Sequence, residues 1–134
     1  MKMIVCLDDD LGMAFNHRRQ SRERYLVTDL AAYLSGKPLY LTPSAYTLFA
    51  ESGADCVVTE TPMKDVPADA YCLVETEDPA PYTDQLTELV IYRWNRLYPS
   101  DLQFKIDLGD FRLTETTEFV GYAHEKITRE VWKR

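Results

Sequence analysis

The run KMIVCLD (2–8) constrains this chain more than any other stretch. Met3 to Leu7 are apolar without alternation, and three consecutive acids, Asp8, Asp9 and Asp10, stop the run. An unbroken apolar run of strand length is a strand covered on both faces, as in a parallel sheet. The following stretches alternate accordingly. SRERYLVTDLAAYLSG (21–36) predicts a helix with Ser21 as N-cap, Leu26, Leu30, Tyr33 and Leu34 on one face, and Gly36 just past its end. KPLYLT (37–42) predicts a strand, and TPSAYTLFAESG (42–53) a short helix with a Thr cap and Pro at its first position. ADCVVTE (54–60) predicts a further strand.

Beyond residue 60 the helical signals fade. TPMKDVPADA (61–70) holds two prolines and no periodicity, so it reads as a loop. YCLVET (71–76) reads as a strand, EDPAPYTDQ (77–85) as a loop or at most one helical turn, and TELVIYRWN (87–95) as a strand. After the turn LYPSD, LQFKIDL (102–108) alternates like a half-exposed strand, and FRLTETTEFVG (111–121) is a strand rich in Thr and Phe. HEKITREVWKR (124–134) fits a final helix or, by its Thr, Ile, Val and Trp, a strand. The expected architecture is α/β: one domain over 1–134, a mostly parallel sheet with a C-terminal antiparallel hairpin, and short helices on its faces.

Charge and cysteine content narrow the function. A net charge of −7 disfavours nucleic acid and anionic membranes as partners. No apolar run approaches the roughly 20 residues that span a bilayer, and MKMIVCLDDD lacks the long apolar stretch of a signal peptide. Cys6, Cys56 and Cys72 are odd in number, lie in apolar runs and form no CxxC pair. They read as buried thiols of a cytoplasmic protein. Exposed hairpin edges near the C-terminus would suit a homodimer.

Against the acidic background, NHRRQSRER (16–24) is strongly basic and follows the first strand at its C-terminal end. Open α/β sheets keep ligand crevices outside that end. Asn16, Arg18, Arg19, Arg22 and Arg24 are therefore candidate ligands for a small anionic metabolite, with Ser21 and the free N–H groups of the helix start assisting. The plainer alternative is that the arginines pair with Asp8, Asp9, Asp10 and Glu23. In YRWNR (92–96), Arg93 and Trp94 face opposite ways; Trp94 would floor a pocket for a planar ring, and Arg93 would join the early arginines if the strands are neighbours. At most two of Asp8, Asp9 and Asp10 can converge, because consecutive side chains of an extended chain alternate, and a hard cation wants more oxygens than that; the run reads as a strand-ending turn. His17 with Cys6 would be a nucleophile pair only if the thiol were accessible.

Several stretches resemble the dihydrofolate reductase family. MIVCLDDDLGMAFN resembles its first strand and the lead-in to its active-site loop. DLAAYLSGKPLYLTPSAYTLFAESGADCVVTE resembles its helix, Lys-Pro, strand, helix and strand succession. ELVIYRWNRLYPSDLQF resembles the later strand and the turn after it, and FRLTETTEF with HEKITREVWKR resembles the closing hairpin. The resemblance implies a strand at 124–134 and places Glu23 near the family's pterin-binding acid. The cofactor motifs depart from it. Where the family opens its second helix with Gly-Arg, this chain has Thr42-Pro43. Where it has a Gly-Gly turn for the pyrophosphate, this chain has Glu75, Glu77 and Asp78. The Trp-x-x-Pro run before the first helix is missing as well. NADPH is therefore not expected as a cofactor. The runs FNHRRQSR and RWNRLYP also resemble a group of bacterial proteins, some labelled ribonuclease Z; that enzyme needs an HxHxDH motif, and this chain has two histidines, His17 and His124.

Three functions stay open on the residues: a binding module for a small anionic or planar ligand near the arginines, an enzyme using Glu23 or His17 as acid or base, and a structural or partner-binding domain. No nucleophile–base spacing and no metal set is visible in the sequence.

Overall fold

The computed structural model describes residues 1–134. Its main sheet has seven strands: β1 (Lys2–Leu7), β4 (Leu39–Leu41), β5 (Cys56–Val58), β6 (Tyr71–Leu73), β7 (Glu88–Arg93), β9 (Arg112–Phe119) and β10 (Ile127–Lys133), in the order β5-β4-β6-β1-β7-β10-β9. The strands from β5 to β7 are parallel, and β10 is antiparallel to both β7 and β9. β1 pairs with β6 and β7, which explains its unbroken apolar run. Ile4 points to a core with Leu26, Leu30, Leu34, Leu41 and Phe49, while Met3, Val5 and Leu7 point to the opposite core with Met13, Met63, Phe104 and Phe111.

The first core lies under α1 (Arg24–Leu34) and α2 (Pro43–Phe49). The cap of α1 corrects the expectation for Ser21: Glu23 is the N-cap, its side chain accepting from the Tyr25 N–H. At the other end Ser35 is left-handed (φ 50°) and Gly36 follows at φ 87°, the place foreseen for a glycine. Thr42 caps α2 through the Ala45 N–H, with Pro43 at the first turn. The second core is covered differently. α3 (Pro62–Asp65) interrupts the expected loop, and a 3₁₀ helix over Ala80–Gln85 exceeds the single turn allowed for it. The alternation of 102–108 reports burial rather than a ladder. Only β8 (Leu102–Gln103) is a strand, yet Phe104 and Ile106 are buried beneath the sheet.

Two further elements escaped the sequence pattern. β2 (Gly12–Phe15) and β3 (Arg18–Arg19) form a hairpin, and with β8 a small second sheet. Its two turn residues, Asn16 and His17, have φ of 55° and 61°, the signature of a type I′ turn without glycine. The C-terminal segment is a strand: β10 is interior, and β9 closes the sheet. No helix is long and apolar enough to cross a membrane.

Candidate functional site

Asp8 explains the acidic turn after β1. Its buried carboxylate accepts the N–H groups of Asp10 and Gly12, the Gln20 amide and the Tyr98 N–H. A Cβ on Gly12 would meet Asp8 Oδ2 at 2.6 Å and Gln20 Nε2 at 2.7 Å, so the turn closes only around glycine. Asp9 and Asp10 are exposed, and no group of three or more His, Cys, Asp or Glu converges on a metal-sized site.

The basic stretch that follows is divided between two hollows. The first is a cleft of about 270 Å³ at the C-terminal ends of β4 and β6. Arg18 and Arg19 line it from the hairpin, Thr42 and Ser44 from the start of α2, and Glu75 and Glu77 from the segment after β6. Pro62, Met63, Leu73 and Val74 add apolar wall. Arg19 forks onto Glu75, Nε to Oε2 at 2.9 Å and Nη2 to Oε1 at 3.1 Å, and also donates to Ser44 Oγ. Arg18 is exposed and carries no ion pair. His17 lines the same cleft from the hairpin turn, and Asn16 holds the turn by donating its N–H to Asp101. Cys6 is no partner for His17. Burial, reinforced by Glu75, pushes its thiol pKa up, the opposite of what a nucleophile needs.

Arg22 and Arg24 lie elsewhere, in a hollow of about 620 Å³ between the start of α1, the end of α2 and the β9–β10 turn, with Arg24 over the Tyr122 ring at 4.3 Å. None of the four arginines pairs with Asp8, Asp9, Asp10 or Glu23; Arg19 alone forms an ion pair, with Glu75. Arg93 does not join them. It bonds Glu130 of β10 at 3.0 Å, on the face away from α1. Trp94 is buried and stacks on His124 at 4.9 Å between ring centres.

Glu23 sits at the centre of a network that sequence reasoning saw only in part. Its carboxylate accepts N–H groups from Tyr25 (2.9 Å), Tyr122 (2.6 Å) and Ala123 (2.6 Å), and His124 Nδ1 lies 2.9 Å away. Burial works against the charge, but the bonds from His124 and the three N–H groups outweigh it and hold the carboxyl at about 2. On the far side of the ring, His124 Nε2 meets Tyr98 Oη at 2.7 Å and Ser21 Oγ at 3.4 Å. His124 and Tyr98 were missed as site residues. The available signal was Gly121, since an isolated glycine in a strand pattern marks close backbone approach. A Cβ there would meet His124 O at 2.6 Å and Glu23 Oε1 at 2.7 Å.

An open, mostly parallel sheet covered on both faces, with a crevice at its strand ends, defines an α/β fold. Its fold is that of the dihydrofolate reductases. The structure superimposes on dihydrofolate reductase from Enterococcus faecalis complexed with NADP(H) and RAB-propyl, with a TM-score of 0.65 over 99% of this chain and 95% of that one, at 10% identity. The sequence matches no family model and no curated protein.

Proposed function

We propose that the protein binds a small anionic ligand, a carboxylate or phosphate ester on a compact apolar body, in the cleft formed by Arg18, Arg19, Ser44 and Met63. The observation that carries this reading is the arrangement of the two guanidinium groups in the cleft wall. Arg18 is free, and Arg19 is held by a partly buried carboxylate, Glu75, that an incoming anion would displace. Leu73, Val74 and Met63 supply the apolar contact.

The residues of this wall do not fit NADPH. Pro43, between the wall residues Thr42 and Ser44, has no N–H to offer a phosphate, and Glu75 and Glu77 present carboxylates where the resemblance would place glycines. The ligand is therefore smaller than a dinucleotide.

Native mass spectrometry of freshly purified protein, followed by thermal-shift titration with small carboxylates and phosphate monoesters, tests the reading. Binding is expected in the wild type and lost in the Arg18→Ala, Arg19→Ala double variant with its circular dichroism unchanged. Micromolar binding of NADPH, or full anion binding by the double variant, overturns it.

A further inference from the structure

We propose that Ser21, Tyr98, His124 and Glu23 form a nucleophilic centre in which Ser21 attacks an ester or thioester whose acyl group carries an acid. None of these residues lines the cleft of Arg18 and Arg19, so the two readings stand apart.

The base is fixed by its surroundings. Glu23 is immobilised by three backbone N–H groups and accepts from His124 Nδ1, the pairing that in a neutral imidazole leaves the lone pair at Nε2. Trp94 stacks on the ring and Tyr98 meets it edge-on, which sets the imidazole plane. Nε2 faces two hydroxyls, Tyr98 Oη at 2.7 Å and Ser21 Oγ at 3.4 Å, and the two hydroxyls lie 3.3 Å apart. Glu23 and His124 are sealed, with side chains 0% and 2% exposed, whereas Ser21 and Tyr98 are half-buried. A nucleophile in reach of a base, itself oriented by a third group, is the arrangement acyl transfer needs.

The step balances without any added reagent. Ser21 Oγ bonds to the carbonyl carbon and the carbonyl π pair moves to oxygen. The serine proton passes to Tyr98 as the phenol proton passes to Nε2. Collapse of the adduct expels the alcohol or thiol, which takes a proton from the Tyr98 hydroxyl as His124 Nε2–H returns its proton to Tyr98, and water then repeats the sequence on the acyl-serine to release the acid. The N–H groups of Arg22, which follows Ser21, and of Arg24, at the first position of α1, have no partner within the protein and are left for the developing oxyanion. The hollow beside them sets the substrate class. Arg22 and Arg24 line it with Val27, Leu48 and Tyr122, against one exposed carboxylate, Glu51. Two guanidinium groups over an aromatic and aliphatic wall suit an acyl chain ending in a carboxylate.

A fluorophosphonate probe tests the centre, because the serine displaces fluoride from phosphorus. Peptide mass spectrometry is expected to find the adduct on Ser21 of the folded protein and none in Ser21→Ala, whose melting temperature stays unchanged. Tyr98→Phe is expected to slow labelling about tenfold, and His124→Gln by about 100-fold or more. An unlabelled Ser21, or equal labelling in the folded and urea-unfolded chain, overturns the proposal; that comparison decides it even if His124→Gln fails to fold. The p-nitrophenyl monoester of succinate should be cleaved about tenfold faster than the butyrate ester, a preference lost in Arg22→Ala. Equal rates for the two esters overturn the acidic substrate class.

Discussion

Arg19–Glu75 and Glu23–His124 are both short acid–base contacts near the rim of the same sheet, and they differ in their access to water. The first pair is 23% and 16% exposed at its side chains, the second 0% and 2%. Glu75 has one strong partner, whereas Glu23 has four. In a half-open cleft the carboxylate can be exchanged for another anion at little cost. In a sealed one, removing either partner strands a buried polar group. The contrast teaches that the basic stretch is divided: its first half lines an open cleft, and its second half frames an anchor between α1 and the β9–β10 turn.

Replacing Glu23 by Ala tests the contrast hardest. It removes the cap of α1, leaves His124 Nδ1 unpaired and frees three N–H groups, so urea denaturation should show a loss of about 3–5 kcal/mol. A loss below about 1 kcal/mol would mean that the network anchors nothing. Acid titration comes next. The folded carboxyl of Glu23, at about 2, lies below its ordinary value of 4.5, so its contribution of about 3 kcal/mol is complete above 4.5 and is lost as the pH falls towards 2. Denaturation profiles between these pH values should steepen in the wild type and flatten in Glu23→Gln. The opposite pair should respond weakly. Arg19→Ala is expected to cost less than about 1 kcal/mol, and a double-mutant cycle with Glu75→Ala should return a coupling of that size. A coupling above about 2 kcal/mol would make the pair structural and remove the exchangeable contact from the cleft. Arg18→Ala, at an exposed and unpaired position, should change stability by no more than about 0.5 kcal/mol while abolishing anion binding.

How much was legible follows the range of the forces. β1, the Thr42-Pro43 start of α2 and Gly36 after α1 are written in local patterns, because burial on both faces, capping and positive φ act within a few residues. The β2–β3 hairpin was not, because Asn16 and His17 take left-handed φ that the sequence signals poorly without glycine. The expected union of Arg93 with the early arginines fails for a similar reason. β7 is indeed a neighbour of β1, but Arg93 finds Glu130 on β10 across the antiparallel pair. Glu23 was visible as a candidate from its chain position. Its partner was not, since His124 lies 101 residues away.

What the amino-acid order alone determined was the dihydrofolate reductase-like succession of strands and helices and the basic run that follows its first strand, because hydrophobic period and turn chemistry are properties of neighbours in the chain. Only the folded molecule decided that this run divides between an open cleft and a sealed hydrogen-bond network. That division depends on which distant carboxylate or imidazole the packed sheet brings within reach, and on whether water can follow it there.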